Sequence, residues 1–458
     1  MGVLLTERHA LPEGAWHFNR ALDLGGRQFH VLINLARNQA AQGRLAEAKQ
    51  LAIEAEGLDR EVGKVATSIL LSEIYEQTGE IEQAAPLIER VGPMLSASGY
   101  DISLTRAALD ARTVNWRDGL ERLDAQIDLA GHPRLLRGRL RERIGRYGEA
   151  WTDFEGGKKE LARESGRHYD RAAVEQQYLA LSRAFSAPFW QSVPAAGIRT
   201  DCPQPIFVFG FPRSGTTMTE QMLSSHSSIR AGGELPFAVQ LCEFAQQLLG
   251  RGQPYPKGLG ELAVADFHHV PALFRDFYLA RAERWGLTAN NASFFTDKMP
   301  LNEVHLPLLR LAFPKAPMIL VRRHPLDILV SVMAHDLTHG MNCGYRIGDA
   351  AHQLAAAAQL AGYYRDALGL DYYEFGYERF VGDQRAETVR LMAYIGLEME
   401  PAQLRFHENN RHAPTPSFDQ VRQPVHNRSV GKWRRYQEQL SPVLAVVAQA
   451  AQDGGYAL

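Results

Sequence analysis

The stretch Gly210-Phe211-Pro212-Arg213-Ser214-Gly215-Thr216-Thr217 holds the residue types that an anion site needs. It lies between a short apolar run at 205–209, which reads as a buried strand, and a helical pattern that starts at Thr216. Glycines allow a tight backbone path, so successive N–H groups and the positive end of the following helix converge on one anion. Gly210 and Gly215 keep the spacing of the nucleotide triphosphatase pattern G-x-x-x-x-G-K-[ST], but Thr216 stands where that pattern has lysine. The cation has moved into the loop, to Arg213, where it can reach the terminal group of a 5′-linked anion. That arrangement points away from ATP hydrolysis. A second anion site is offered by Arg323-His324-Pro325-Leu326-Asp327-Ile328-Leu329-Val330-Ser331. An arginine at a strand end, with a hydroxyl two turns into the next helix, can bracket a phosphate by charge-assisted hydrogen bonds.

Pro-Arg-Ser-Gly-Thr-Thr after a strand, followed in order by the 323–331 run, resembles the 5′-phosphosulfate loop and the 3′-phosphate motif of sulfotransferases. These enzymes use 3′-phosphoadenosine 5′-phosphosulfate (PAPS) as donor and release PAP. Further segments are similar to the tyrosylprotein sulfotransferase branch: Gly232-Gly233-Glu234-Leu235-Pro236, Asp297-Lys298-Met299-Pro300, Tyr377-Glu378-Arg379-Phe380-Val381, and Asp419-Gln420-Val421 with Pro424-Val425 and Lys432-Trp433. The resemblance spans roughly 205–435. It implies that Ser214, Gly215, Thr216 and Thr217 bind the 5′-phosphate, that Arg323 and Ser331 hold the 3′-phosphate, and that Tyr377 and Lys432 lie at the nucleotide. It also implies that Glu234 is the general base, that Arg213 and Lys298 face the sulfuryl and bridging oxygens, and that Ser417 takes the place of a transition-state serine. One departure is His335, where the branch has a second arginine. No metal is implied. The acceptor is a hydroxyl or phenol, with tyrosine, peptide, carbohydrate, lipid and small phenol all open. Two other readings remain: a P-loop nucleotide kinase-like phosphotransferase, and a repeat scaffold with a degenerate nucleotide-binding domain.

These residues must be held by a sheet. Apolar runs at 205–209, 317–321 and 372–375, with a weaker one at 294–296, alternate with helical patterns at 216–225, 238–249, 302–312, 326–336 and 347–368. Such alternation predicts an α/β domain with a central parallel sheet. Upstream, residues 28–165 are rich in Ala, Leu, Glu, Arg and Gln at helical spacing. Gly43 and Gly79 are 36 residues apart, and Gly145 repeats the pattern with Tyr147, Ala150 and Phe154. A degenerate unit fits around Trp116, Gly119 and Leu123. The period resembles that of tetratricopeptide (TPR) repeats, which stack helix pairs into a solenoid with a concave face; the alternative is an ordinary helical bundle. The boundary is placed near 195, after a proline-punctuated linker, giving a TPR-like domain at 1–195 and a sulfotransferase-like domain at 196–458. The helical domain implies a protein partner or self-association.

The chain has 458 residues, 45% of them hydrophobic and 22% charged, with a net charge of −2. No global positive field draws it to nucleic acid or anionic lipid. The window 316–330 is interrupted by Arg322, Arg323, His324 and Asp327, so no membrane span is expected, and the start lacks a secretory pattern; a cytoplasmic location follows as an expectation. Cys202, Cys242 and Cys343 are scattered and read as reduced structural thiols. His335 and His339 have a metal-compatible spacing without the glutamate of H-E-x-x-H, and His268 with His269 reads as solvated surface.

Overall fold

Gly43, Gly79 and Gly145 have φ of 75°, 81° and 80°, a left-handed backbone that glycine adopts without a Cβ penalty. Each closes the same turn, in which Arg44 N donates to Gln39 O, Glu80 N to Tyr75 O and Arg146 N to Arg141 O. A new helix follows each time: Leu45–Leu58, Ile81–Ala97 and Tyr147–Ser165. The computed structural model describes residues 1–458 apart from 8–9, 59–61, 98–101, 114, 250–254, 261–268, 290–291, 338–341 and 410–422. Its first unit, Met1–Leu161, is a series of helical hairpins consistent with repeats. Ala48, Ala84 and Ala150 are wholly buried where the hairpin helices meet. Gly119 lies inside the Trp116–Asp124 helix rather than at a turn, and a Cβ there would come within 2.9 Å of Ala107 O. It therefore serves as the small packing residue of its hairpin, the place that alanine fills in the others.

The second unit starts at Ala162. Its sheet comprises β1 (Gln204–Phe209), β2 (Ile229–Arg230), β3 (Phe294–Lys298), β4 (Met318–Arg322) and β5 (Tyr373–Gly376), in the order β2-β3-β1-β4-β5. All pairings are parallel, with Val208 opposite both Lys298 and Ile319. β1 and β4 are nearly all-apolar runs because helices cover both faces of the sheet. β2 is two residues long, too short to carry a periodic signal, and was not expected. Since every strand runs the same way, whatever follows each one lies along a single edge of the sheet.

The core beside β1 is aromatic: Phe207, Phe237, Phe274, Tyr278 and Phe295 are all buried. The helices Arg171–Ala184 and Ala187–Ser192 contribute to it as well. Leu181, Ala184 and Phe185 belong to this core, and Tyr363 Oη donates to Ser182 O and Phe185 O at 3.0 and 3.1 Å. The compact units therefore divide between Leu161 and Ala162, whereas composition changes only near 195. The cysteines are free thiols, and burial pushes the Cys242 thiol up to about 12. Among the described residues, no helix is long and apolar enough to cross a membrane.

Phe207 is 1% exposed at the centre of this core. Truncation by Phe207→Ala is expected to cost about 3–5 kcal/mol, read as a lower urea midpoint for the transition of the sheet-containing unit.

Candidate functional site

The loop after β1 turns through two glycines that tolerate no side chain. Gly210 has φ 143° and Gly215 φ 111°. A Cβ on Gly210 would lie 2.6 Å from Val321 O, and one on Gly215 2.9 Å from the Tyr377 ring. Arg213 also has a positive φ, 72°, a conformation that is uncommon for a non-glycine residue and worth explaining locally. The partners of Arg213 supply the explanation. Its Nε donates to Ser331 Oγ at 2.9 Å, and its carbonyl accepts from Arg323 Nη1 at 2.9 Å. The 210–217 loop and the 323–331 run, 110 residues apart at Arg213 and Arg323, are therefore hydrogen-bonded to each other.

Ser214, Thr216 and Thr217 are buried, and the Thr216–Leu223 helix begins where the loop ends. Ser214 Oγ and Arg323 Nε are buried with no hydrogen-bond partner among the described residues. Polar groups left this way cost free energy unless something pairs with them. Their position at the first turn of a helix and beside two arginines suits a phosphate or sulfate oxygen. A cleft opens here, lined by Arg213, Gly215, Arg323, Tyr377, Phe406 and Ser429, among others. Tyr377 starts a helix immediately after β5, and the Arg323 guanidinium lies over its ring at 4.6 Å.

The C-terminal stretch closes onto the same motif through residues that spacing did not reveal. Arg323 Nη2 donates to Ser429 O at 2.7 Å, and the two oxygens of Asp327 accept from Gly431 N and Trp433 N at 2.7 and 2.8 Å. His324 stacks on Trp433 with ring centroids 5.1 Å apart. Lys432 opens the 3-10 helix Lys432–Tyr436 between these two anchored residues. Glu378 accepts from His324 N and from Tyr456 Oη, both at 2.9 Å. Asp327 sits in the first turn of its helix, where acidic residues are common, so its tethers to Gly431 and Trp433, 104 and 106 positions further on, had no separate sequence signal.

Glu234 and Lys298 form an ion pair, Nζ to Oε1 at 2.5 Å, with the lysine 1% exposed and the glutamate 13%. Lys298 ends β3, and its N–H donates to Gly233 O at 2.9 Å. The loop bearing Glu234 is pinned from below by Glu220, wholly buried on the Thr216–Leu223 helix. Glu220 Oε1 accepts from Gly233 N at 2.8 Å and from Thr296 Oγ1 at 2.6 Å, while Thr296 Oγ1 accepts from Gly232 N at 3.0 Å. Next to Lys298, burial pushes the Asp297 carboxyl up to about 7, against the hydrogen bond it accepts from Tyr278 Oη.

Ser417, with Asp419, Gln420 and Val421, lies outside the described residues, as do His268 and His339. His335 ends the Pro325–Ala334 helix, and its Nδ1–H donates to Ser331 O at 2.9 Å. Among the described residues, no group of three or more His, Cys, Asp or Glu is placed to hold a metal ion.

Residues 205–401 match the model of the Sulfotransferase family. An uncharacterized protein of Aquifex aeolicus (strain VF5) is 30% identical over 249 residues, which are 54% of this chain and 32% of that protein. The chain thus spans about a third of the length of this curated relative. Among solved structures, the sulfotransferase domain of the Synechococcus PCC 7002 olefin synthase is 19% identical with a TM-score of 0.40, covering 58% of this chain and 99% of its own. A sulfotransferase of Mycobacterium avium is 15% identical with a TM-score of 0.35, covering 78% and 96%.

Two outcomes test this construction. Asp327→Ala removes both tethers to Gly431 and Trp433 and is expected to lower stability by about 1–3 kcal/mol, with faster amide exchange at 429–433. Asp297 is protonated in the folded chain up to about pH 7, whereas an unfolded aspartate has lost its proton by then. The folded state therefore binds the extra proton between the two values, and stability falls as pH rises from about 4 through 7. Asp297→Asn is expected to flatten that part of the stability–pH curve in chemical denaturation.

Proposed function

We propose that the sulfotransferase-family domain of this chain transfers a sulfuryl group from PAPS to a hydroxyl or phenol. The observation that carries the reading is the hydrogen-bonded junction of Arg213, Ser331 and Arg323 at the head of a cleft. Two anion sites joined in this way suit a nucleoside with phosphate groups at both ends. The loop N–H groups with Ser214, Gly215, Thr216 and Thr217 would receive the 5′-phosphate, and Arg323 with Ser331 the 3′-phosphate. Tyr377 would lie along the nucleotide, with Lys432 at the edge of the site.

In the transfer, the acceptor oxygen attacks sulfur, a new S–O bond forms, and the bond from sulfur to the 5′-phosphate oxygen breaks, releasing PAP. The acceptor proton passes to Glu234. That carboxylate is paired with Lys298 in the structure described above. An arriving sulfuryl group competes for the ammonium, so donor binding would turn Lys298 toward the bridging oxygen and free Glu234 to accept a proton. The helical hairpins are read as a TPR-like module that engages a partner protein or a second copy. Resemblance to the tyrosylprotein branch favours a peptide phenol as acceptor, with Ser417 as an additional contact. The protein is proposed to act in the cytoplasm without a metal.

PAP at about 100 times its dissociation constant should stabilise the chain by roughly 2.7 kcal/mol, visible as a higher melting temperature. Arg323→Ala should abolish that shift. Glu234→Ala should keep it while lowering transfer of labelled sulfate by about 10²- to 10⁴-fold. A shift with ATP and none with PAP would overturn the reading in favour of a kinase-like phosphotransferase. Tight PAP binding with no transfer to any acceptor would leave a scaffold instead.

A further inference from the structure

A second cavity has Gly210 and Phe211, at the start of the 210–217 loop, as part of its wall. Most of the lining is aliphatic, including Ile328, Leu354, Ala357 and Ala361, and small residues on the Ile347–Leu368 helix leave the space open. One carboxyl interrupts this surface. Glu303 lines the cavity, is 2% exposed, and neither of its oxygens has a hydrogen-bond partner among the described residues. Tyr178 and Tyr364, whose electrostatic fields reach it, are neutral phenols, and Tyr364 Oη is likewise buried and unpartnered.

An ionisable group kept this way is costly. Burial pushes the Glu303 carboxyl up to about 7, against the weaker pull of its own backbone N–H. Donors of the opposite kind appear elsewhere in the lining. Arg322 and Arg323 both line the cavity, and the Nε of each is buried without an acceptor among the described residues. Arg322 spends its terminal nitrogen on Glu374 at 2.7 Å, so it does not serve Glu303. The cavity therefore presents an acceptor that lacks a donor, donors that lack an acceptor, and an aliphatic wall.

We propose that this cavity is a second ligand site that takes a short aliphatic ω-amino acid, its ammonium on Glu303 and its carboxylate on the Nε–H of Arg322. An ammonium supplies donors to both carboxylate oxygens and neutralises the buried charge. The methylene chain covers the aliphatic wall, and neither Glu303 nor Arg322 lines the cleft at Arg213 and Tyr377. Its occupant would rest against the back of the phosphate loop.

The test is calorimetric titration of the full chain with 6-aminohexanoate, with and without saturating PAP, alongside hexylamine and hexanoate. Binding of 6-aminohexanoate is expected at one site per chain and at least 10-fold tighter than either truncated probe, whether or not PAP is present. Glu303→Gln keeps the shape and removes the charge, and is expected to weaken 6-aminohexanoate and hexylamine at least 10-fold while leaving hexanoate unchanged. Ala357→Met fills the cavity and should abolish binding of all three. No heat with 6-aminohexanoate would overturn the proposal, as would binding unaffected by both variants, or hexanoate binding as tightly as the amino acid. If Glu303→Gln does not fold, Ala357→Met alone decides the location.

Discussion

The guanidinium of Arg323 donates to the main-chain carbonyl of Arg213 while the Arg213 side chain donates to Ser331, and this pair of hydrogen bonds ties two cationic residues into one junction. Fixed acceptors hold the two side chains in place: the Arg213 and Ser429 carbonyls, the Ser331 hydroxyl and the Tyr377 ring. The proposed anion site would thus be assembled before its anion arrives, and such preorganisation lowers the ordering cost of binding. Much of the second unit can be read as support for it. The parallel sheet delivers the loop, Arg323 and Tyr377 to one edge, and residues 429–433 are tied in through Asp327.

Lys298 and Glu234 add a second coupling at the neighbouring strand. A buried ammonium and a nearly buried carboxylate stabilise each other only as a pair, since removing either leaves an uncompensated charge. Glu220 acts from beneath, because the same carboxylate oxygen that holds Gly233 N also holds Thr296 on β3. The helix that follows the phosphate loop thereby fixes the backbone on both sides of the ion pair. The helix that begins at the end of the 210–217 loop thus also holds, through Glu220, the backbone beside the ion pair.

The parts of this arrangement that were legible in sequence are those with local signals. The loop between strand and helix, the arginine that ends a strand, and the turn glycines all depend on residues close together in the chain, and their types follow from backbone geometry or charge. Glu220, Asp327 and Glu378 gave no such signal, because a carboxylate on a helix reads as solvated surface until its distant partner is known. β2 escaped notice for a different reason: two residues cannot show a period. The compact units divide at 161–162 while composition changes near 195, because composition follows secondary structure and not packing. The Arg171–Ala184 helix has the same residue types as the hairpins before it, yet its Leu181 and Ala184 are spent on the core of the sheet.

The turns at Gly43, Gly79 and Gly145 share one backbone conformation and one hydrogen-bond pattern. A joint reproduced so closely can be copied as a module. Because stability in such stacks is close to a sum of each unit and its neighbour contacts, duplication or loss of a whole hairpin in the middle of the array would alter the length of that array by a fixed step. Evolution could then vary the reach of this half of the molecule without rewriting the chemistry encoded after it.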